Sequence, residues 1–239
     1  MLEVHIRRKA YVSASGARLE VLCDIAFTLA AGDVAAFVGP SGCGKTTMLR
    51  ILAGLDHGFE GAIKGAAPGR IGMVFQEPRL LPWRTTEANV RLAAPCASDS
   101  KLAELFSVLE LNPHRSHYPG ELSLGLARRV ALARAFAVDP ALLILDEPFV
   151  SLDQALAVRL RAELATLVDR RRVSTILVTH DVDDAVWLAD RVFLLSGRPA
   201  RIVAELPVPG RRGERTAAEI AAMRQKITAL VAPCTTATP

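Results

Sequence analysis

Short apolar runs punctuate the chain at Val34–Val38, Ile71–Phe75, Leu142–Leu145, Thr175–Val178 and Val192–Leu195. An unbroken apolar run of this length reads as a strand covered on both faces. Helical periodicity follows several of them. Leu156, Leu160, Leu164 and Leu167 form one stripe at helix spacing between two of these strands. Strand alternating with helix predicts an α/β fold with a mainly parallel sheet. The stretch from about residue 82 to 136 holds no convincing strand. Leu102, Leu105, Phe106 and Leu109 mark an amphipathic helix there, and Arg128–Phe136 continues without a turn signal. This segment reads as a helical insertion between two sheet strands. The first thirty or so residues are strand-like and predict a small N-terminal antiparallel β layer. Beyond Gly197 the pattern is broken by Pro199, Pro207, Pro209 and Gly210. Ile220, Met223, Ile227 and Leu230 then mark a last helix starting near Glu214 or Thr216, and 232–239 is expected to fray.

Composition narrows the class. With 239 residues, 51% of them hydrophobic, the chain can bury a sizeable core and is not a disordered segment. No apolar run reaches the length of a membrane span. The N-terminus alternates like a strand and lacks a signal peptide's apolar region, so a cytosolic protein is expected. Cys23, Cys43, Cys96 and Cys234 are scattered, without the spacing of a disulfide framework or a zinc site. The net charge of +4 is mild. The basic clusters Arg170-Arg171-Arg172 and Arg211-Arg212 are short and lack interleaved aromatics. Solvated helix ends or loops are their plainer reading, and no nucleic-acid partner is expected. The residual basicity suits the cytoplasmic face of a membrane.

The chemistry is concentrated after the first apolar run. Gly39-Pro40-Ser41-Gly42-Cys43-Gly44-Lys45-Thr46 fits G-x-x-x-x-G-K-[ST], a phosphate-binding P-loop. Val34–Val38 precedes it as a strand, and Thr47–Ala53, free of Gly and Pro, follows as a helix. Glycines at 39, 42 and 44 let the backbone turn its N–H groups toward phosphate oxygens, and the helix adds its positive end. Lys45 supplies a charge for the β- and γ-phosphates, and Thr46 a hydroxyl for Mg²⁺. An accidental glycine-rich turn is the alternative, and the flanking strand and helix weigh against it. Cys43, inside the loop, is expected to react with maleimide and to be protected by bound nucleotide. A second apolar run, Ala141–Leu145, ends in Asp146 and Glu147. Beside a P-loop, a strand-end Asp suits Mg²⁺ and the adjacent Glu suits activation of an attacking water.

Further landmarks follow in order. Gln76 ends the strand Ile71–Phe75. Leu122-Ser123-Leu124-Gly125-Leu126 precedes Ala127–Ala135. Ser151-Leu152-Asp153 and Thr179-His180-Asp181 complete the set. Together with the P-loop and Asp146-Glu147, the chain resembles the nucleotide-binding subunit of an ABC transporter over roughly residues 3 to 205. The resemblance implies a P-loop NTPase core with an ABC-specific helical insertion. An ABC-type ATP-binding domain would span 1–205, with its helical subdomain at about 82–136, followed by a C-terminal helical extension and tail at 206–239. It also implies ATP and Mg²⁺. Gly39, Pro40, Ser41, Gly42, Cys43, Gly44, Lys45, Thr46 and Thr47 would cradle the nucleotide. Tyr11 would stack on adenine, with an ordinary strand residue as the alternative reading. Gln76, Thr46 and Asp146 would serve Mg²⁺. Glu147 would be the general base, His180 would hold the γ-phosphate and the water, and Gln76 would sense the membrane partner.

The segment at 122–126 stands where the family carries LSGGQ, with Leu124 in place of the first glycine and Leu126 in place of glutamine. Ser123 and Gly125 remain. In the family these grip ATP bound to the opposite subunit, so the resemblance implies a head-to-tail homodimer. The leucines are expected to limit turnover and not nucleotide affinity. Glu77–Thr85 and Leu195–Ile202 resemble the nitrate/sulfonate/taurine importer ATPases. That implies an energy-coupling subunit on the cytoplasmic face of the inner membrane. Its partners would be two integral-membrane permease subunits and, indirectly, a solute-binding protein. Trp83 is open between a core aromatic and part of the groove for a permease helix. A soluble or regulatory ABC ATPase with low turnover is the competing reading. The missing coiled-coil insertion and second nucleotide domain weigh against a soluble ABC ATPase acting on DNA or ribosomes.

Overall fold

A computed structural model describes residues 1–13, 16–65 and 70–231. Residues 14–15 and the tail 232–239 with Cys234 lie outside the described residues. The chain opens with β1 (Leu2–Val12) and β2 (Arg18–Leu29), paired antiparallel with Leu2 opposite Leu29 and Ile6 opposite Ile25. Alternate residues of β1 (Leu2, Val4, Ile6) are buried, as one covered face requires. Then come β3 (Val34–Val38), the P-loop and α1 (Lys45–Leu52). The short β4 (Glu60–Lys64) completes a small sheet of order β2-β1-β4.

The insertion lies between β5 (Ile71–Val74) and β6 (Leu142–Asp146). It contains α2 (Thr86–Ala93), α3 (Asp99–Val108), two short 3₁₀ turns and α4 (Leu124–Ala137). α5 (Gln154–Arg171), β7 (Ser174–Thr179), α6 (Val182–Leu188), β8 (Arg191–Leu195), β9 (Ile202–Pro207) and α7 (Ala217–Val231) follow. The helices start where short polar side chains can cap them. Thr85, Ser98, Ser123 and Asp153 each accept a hydrogen bond from a first-turn amide. Thr216 and Glu219 form a reciprocal cap that starts α7.

The main sheet has the order β5-β6-β7-β3-β8-β9; every pairing is parallel except β8 with β9. β3 is buried along its whole length. Its alternation splits the core in two. Val34, Ala36 and Val38 join a cluster with the helices, including Leu160 and Leu164 of the leucine stripe. Ala35 and Phe37 join a cluster under the antiparallel layer. There Phe37 lies 4.8 Å from Phe27 and 4.9 Å from Phe193, ring centroid to centroid, which fastens the small sheet onto the large one.

Two strands escape the sequence pattern. β4 carries a single large apolar residue, Ile63, and is an exposed edge. β9 is a half-exposed edge ending at Pro207. Neither has the continuous apolar run that marks a buried strand. Leu156 also departs from its stripe: it is half-buried and packs against Gly125 of α4.

α6 is clamped on two sides. Arg224 of α7 forks onto Asp183 at 2.8 and 2.5 Å. Arg161 of α5 pairs with buried Asp184. Burial pushes the Asp184 carboxyl up to about 6, against the pull of Arg161. The native carboxyl therefore holds its proton more tightly than the unfolded chain does, and its contribution to stability falls as pH rises from about 4 to about 6. Asp184→Asn should flatten that part of the pH–stability profile. Urea unfolding of both proteins across this window checks it; an unchanged slope would show that Asp184 does not titrate there.

Candidate active site

Four strands of the main sheet end at one edge, and each hands a polar group to it. The P-loop leaves β3, Gln76 follows β5, Asp146 closes β6 and His180 follows β7. A single cleft of about 410 Å³ is lined by Tyr11, Ser41, Gly42, Gly44, Lys45, Thr46, Thr47, Gln76, Asp146, Glu147 and His180, joined by Leu19, Val21 and Arg198. Gly39, Pro40 and Cys43 belong to the loop but do not line the cleft, and neither do Ser123 and Gly125.

The loop holds its own lysine. Lys45 Nζ, nearly buried, donates to the carbonyls of Gly39 at 2.7 Å and Pro40 at 3.0 Å. Gly44 caps α1 with φ +129° and offers no side-chain partner to the first-turn amides, so that helix end is open to an anion. A Cβ on Gly44 would also press on Val21 and Leu22 at 2.9 Å. Cys43 turns inward: it is 2% exposed and belongs to the cluster under the antiparallel layer. That overturns the expected maleimide reactivity of its thiol.

Thr46 Oγ1 lies 3.4 Å from Asp146 Oδ2. Burial, with the neighbouring Glu147, pushes the Asp146 carboxyl upward, and Thr46 and Lys45 only partly offset this. Glu147 adopts φ +50°, a left-handed conformation uncommon for a side chain of this size. Its Oε2 is 2.5 Å from His180 Nδ1. A carboxylate oxygen accepts in this contact, so the imidazole donates to it from Nδ1–H. His180 is half-exposed and Glu147 largely covered. The chemistry available is polyphosphate binding by loop amides and Lys45, beside a carboxylate aimed by an imidazole.

Tyr11 is a strand residue, opposite Leu19, and also lines the cleft. Its hydroxyl donates to Asp56 at 3.1 Å, and Lys9 Nζ sits 4.5 Å from its ring centroid. Lys9 donates to Asp56 at 2.6 Å and holds that carboxyl below the usual aspartate range. Neither Lys9 nor Asp56 was marked by any motif. Arg198 lies in the family-like segment Leu195–Ile202, and its guanidinium donates to Gly42 O at 2.6 Å. Ser123 caps α4, exposed, with Leu124 beside it on the surface. Gly125 is glycine because Leu156 of α5 occupies the space of a Cβ. Trp83 is 70% exposed, which excludes the core alternative.

Residues 22–150 match the family model for the ABC transporter. The chain is 40% identical over 208 residues, 87% of each chain, to an aliphatic sulfonates import ATP-binding protein (SsuB 2) of Pseudomonas syringae pv. tomato. It is 43% identical, over 91% of each chain, to SsuB 1 of Pseudomonas aeruginosa strain UCBPP-PA14. It superposes on MJ0796, a bacterial ABC transporter cassette solved as a dimer, with a TM-score of 0.78 at 26% identity, covering 88% of this chain and all of that one. The same cassette bound to ADP and Pi gives 0.76.

The cysteines provide a direct check on the loop. Exposed Cys96 should react with maleimide in the folded protein, while Cys43 should react only once denaturant opens the core. Peptide mapping of labelled protein reads this. Rapid labelling of Cys43 under native conditions would mean that the thiol faces solvent.

Proposed function

The chain belongs to the ABC transporter family and is an ATPase of it, and we propose that it is the energy-coupling subunit of an importer for a small sulfonate-like solute. The observation that carries this reading is the single cleft in which Lys45, Thr46, Asp146, Glu147 and His180 converge. Relatives named for aliphatic sulfonate import favour the solute class. Among the described residues no helix is long and apolar enough to cross a membrane, so permease subunits would supply the path. The chain would sit against them at the cytoplasmic face, with exposed Trp83 and Leu92 near that contact.

ATP would lie with adenine against Tyr11, Leu19 and Val21 and its phosphates over the loop. Loop amides and Lys45 would take the β- and γ-phosphate charge, which develops further in the transition state. The donor set fits Mg²⁺: one hydroxyl and one buried carboxylate at adjacent positions, with the remaining ligands left to phosphate and water. Among the described residues no cluster of three or more His, Cys, Asp or Glu forms an all-protein cage. Thr46 and Asp146 would hold the ion, which would supply neutralisation of phosphate charge. Glu147 would take a proton from a water as its oxygen attacks the γ-phosphorus and the bond to the β–γ bridging oxygen breaks, giving ADP and phosphate. His180 would aim Glu147 through Nδ1 and meet the γ-phosphate with Nε2. Ser123 and Gly125 lie outside this cleft, which suits a composite site completed by the same loop of a second copy.

Glu147→Gln keeps every binding group and removes the base, a change that costs on the order of 10²–10⁴ in rate. The variant should bind ATP and accumulate as a closed dimer of doubled mass in gel filtration. Hydrolysis at the parent rate would remove Glu147 from its role.

A further inference from the structure

The segment that follows the base makes a tight reversal. Glu147 has φ +50° and Ser151 φ +62°, and neither is glycine. Side chains in the left-handed region are strained and persist only where the surroundings hold them there. The Glu147 amide is tied to Val178 O of β7 at 2.9 Å, and one side chain from another element spans the rest of the turn. Arg128, one turn into α4, is 5% exposed. Its Nη1 donates to the carbonyls of Glu147 at 3.2 Å and Pro148 at 2.5 Å, and its Nη2 donates to the carbonyl of Val150. These three acceptors converge on the guanidinium because the backbone reverses around it.

The partner set is unusual for a buried cation. Among the described residues no carboxylate pairs with Arg128, in contrast to the next residue: Arg129 meets Glu110 at 2.5 Å and Glu163 at 2.7 Å. Burial pushes the Arg128 guanidinium's pKa down. A buried, unpaired charge is costly to keep. A leucine would fill an interior helix position without that cost, but it would take their donor from the carbonyls of Pro148 and Val150 and leave that of Glu147 with only the Val150 amide at 3.4 Å. The rigid planar fork of arginine can serve all of them at once, where a lysine's point charge cannot hold the same geometry.

Resting on the reading of Glu147 as the general base, we propose that Arg128 is a positioning residue: it fixes the backbone of Glu147–Val150 so that the carboxylate stands at His180 and the attacking water. Arg128 touches no reacting atom and acts through Glu147. The same helix begins at Ser123, and farther along it Arg134 donates to the carbonyls of Pro78 and Arg79, just past Gln76, at 2.8 Å each. Helix α4 thus grips the segment carrying the base as well as the segment following Gln76.

The test compares Arg128→Met, Arg128→Gln and Arg128→Lys with the parent chain, alone and combined with Glu147→Gln. Single-turnover MgATP hydrolysis, ATP affinity of the monomer and urea unfolding are measured for each. Arg128→Met should hydrolyse roughly 10²-fold slower, the scale of a misplaced catalytic group, with ATP affinity within about twofold of the parent. Arg128→Gln, which keeps planar N–H donors, should recover more of the rate than Arg128→Met. With Glu147→Gln present, Arg128→Met should cost little further rate, because both changes act on one group. A folded Arg128→Met at the parent rate overturns the proposal. So does a loss that multiplies fully in the Glu147→Gln background, or one that appears only as weaker ATP binding. If Arg128→Met does not fold, Arg128→Gln and Arg128→Lys carry the same comparison. An inactive Glu147→Gln beside a fully active Arg128 series defeats this inference alone; a fully active Glu147→Gln defeats the assignment of the base as well.

Discussion

Parallel pairing of β5, β6, β7 and β3 is the constraint on which the rest of the molecule depends. Val38 stands opposite Thr179, and Asp146 opposite Val178. With strands in this register, every connection that leaves a C-terminal end emerges at one edge. Residues separated by a hundred positions, such as Thr46 and Asp146, then become neighbours. The crevice outside the carboxyl ends of such strands is where open α/β sheets bind ligands. β3 can occupy the middle of this sheet because it is apolar on both faces. The helical core covers one face, and the antiparallel layer, through Phe27, Phe37 and Phe193, covers the other.

The site is built from groups that are poorly matched without a ligand. Asp146 is a buried carboxyl with one weak hydroxyl partner. Among the described residues Lys45 donates only to carbonyls of its own loop. The amide end of α1 has no side-chain cap. Each deficit has the sign that a metal-bound polyphosphate supplies: cation for Asp146, anion for Lys45 and the helix end. Preorganised charge of this kind costs folding stability and is repaid when nucleotide binds.

The sequence made the sheet legible where strands are buried on both faces, since continuous apolar runs have few other readings. It made the loop and the strand-end carboxylates legible because their chemistry is local: a glycine pattern, a lysine and two acids at a strand end. The edge strands β4 and β9 were illegible, because an edge needs no apolar run. The helpers of the site were illegible for a different reason. Asp56 meets Lys9 across 47 positions and Tyr11 across 45, and Arg128 meets Glu147 across 19. A lysine in a strand or an arginine in a helix is ordinary until the fold shows what it touches. The thiol of Cys43 was misread because a P-loop seen as sequence does not reveal which side of the loop faces the core.

The central claim is that nucleotide turnover needs two copies of this chain, each completing the other's site. Lys45→Ala removes the loop charge and keeps Ser123; Ser123→Arg does the reverse by placing a bulky cation where the γ-phosphate of the partner's nucleotide would lie. Each variant alone should be nearly inactive. In a mixed dimer one site collects both defects and the other collects none. The measurement is ATP turnover across mixing ratios at fixed total protein, with mixed dimers verified by differential tags. Partial recovery peaking near equal proportions is the predicted result. A flat zero at every ratio, with mixed dimers present, contradicts the composite site.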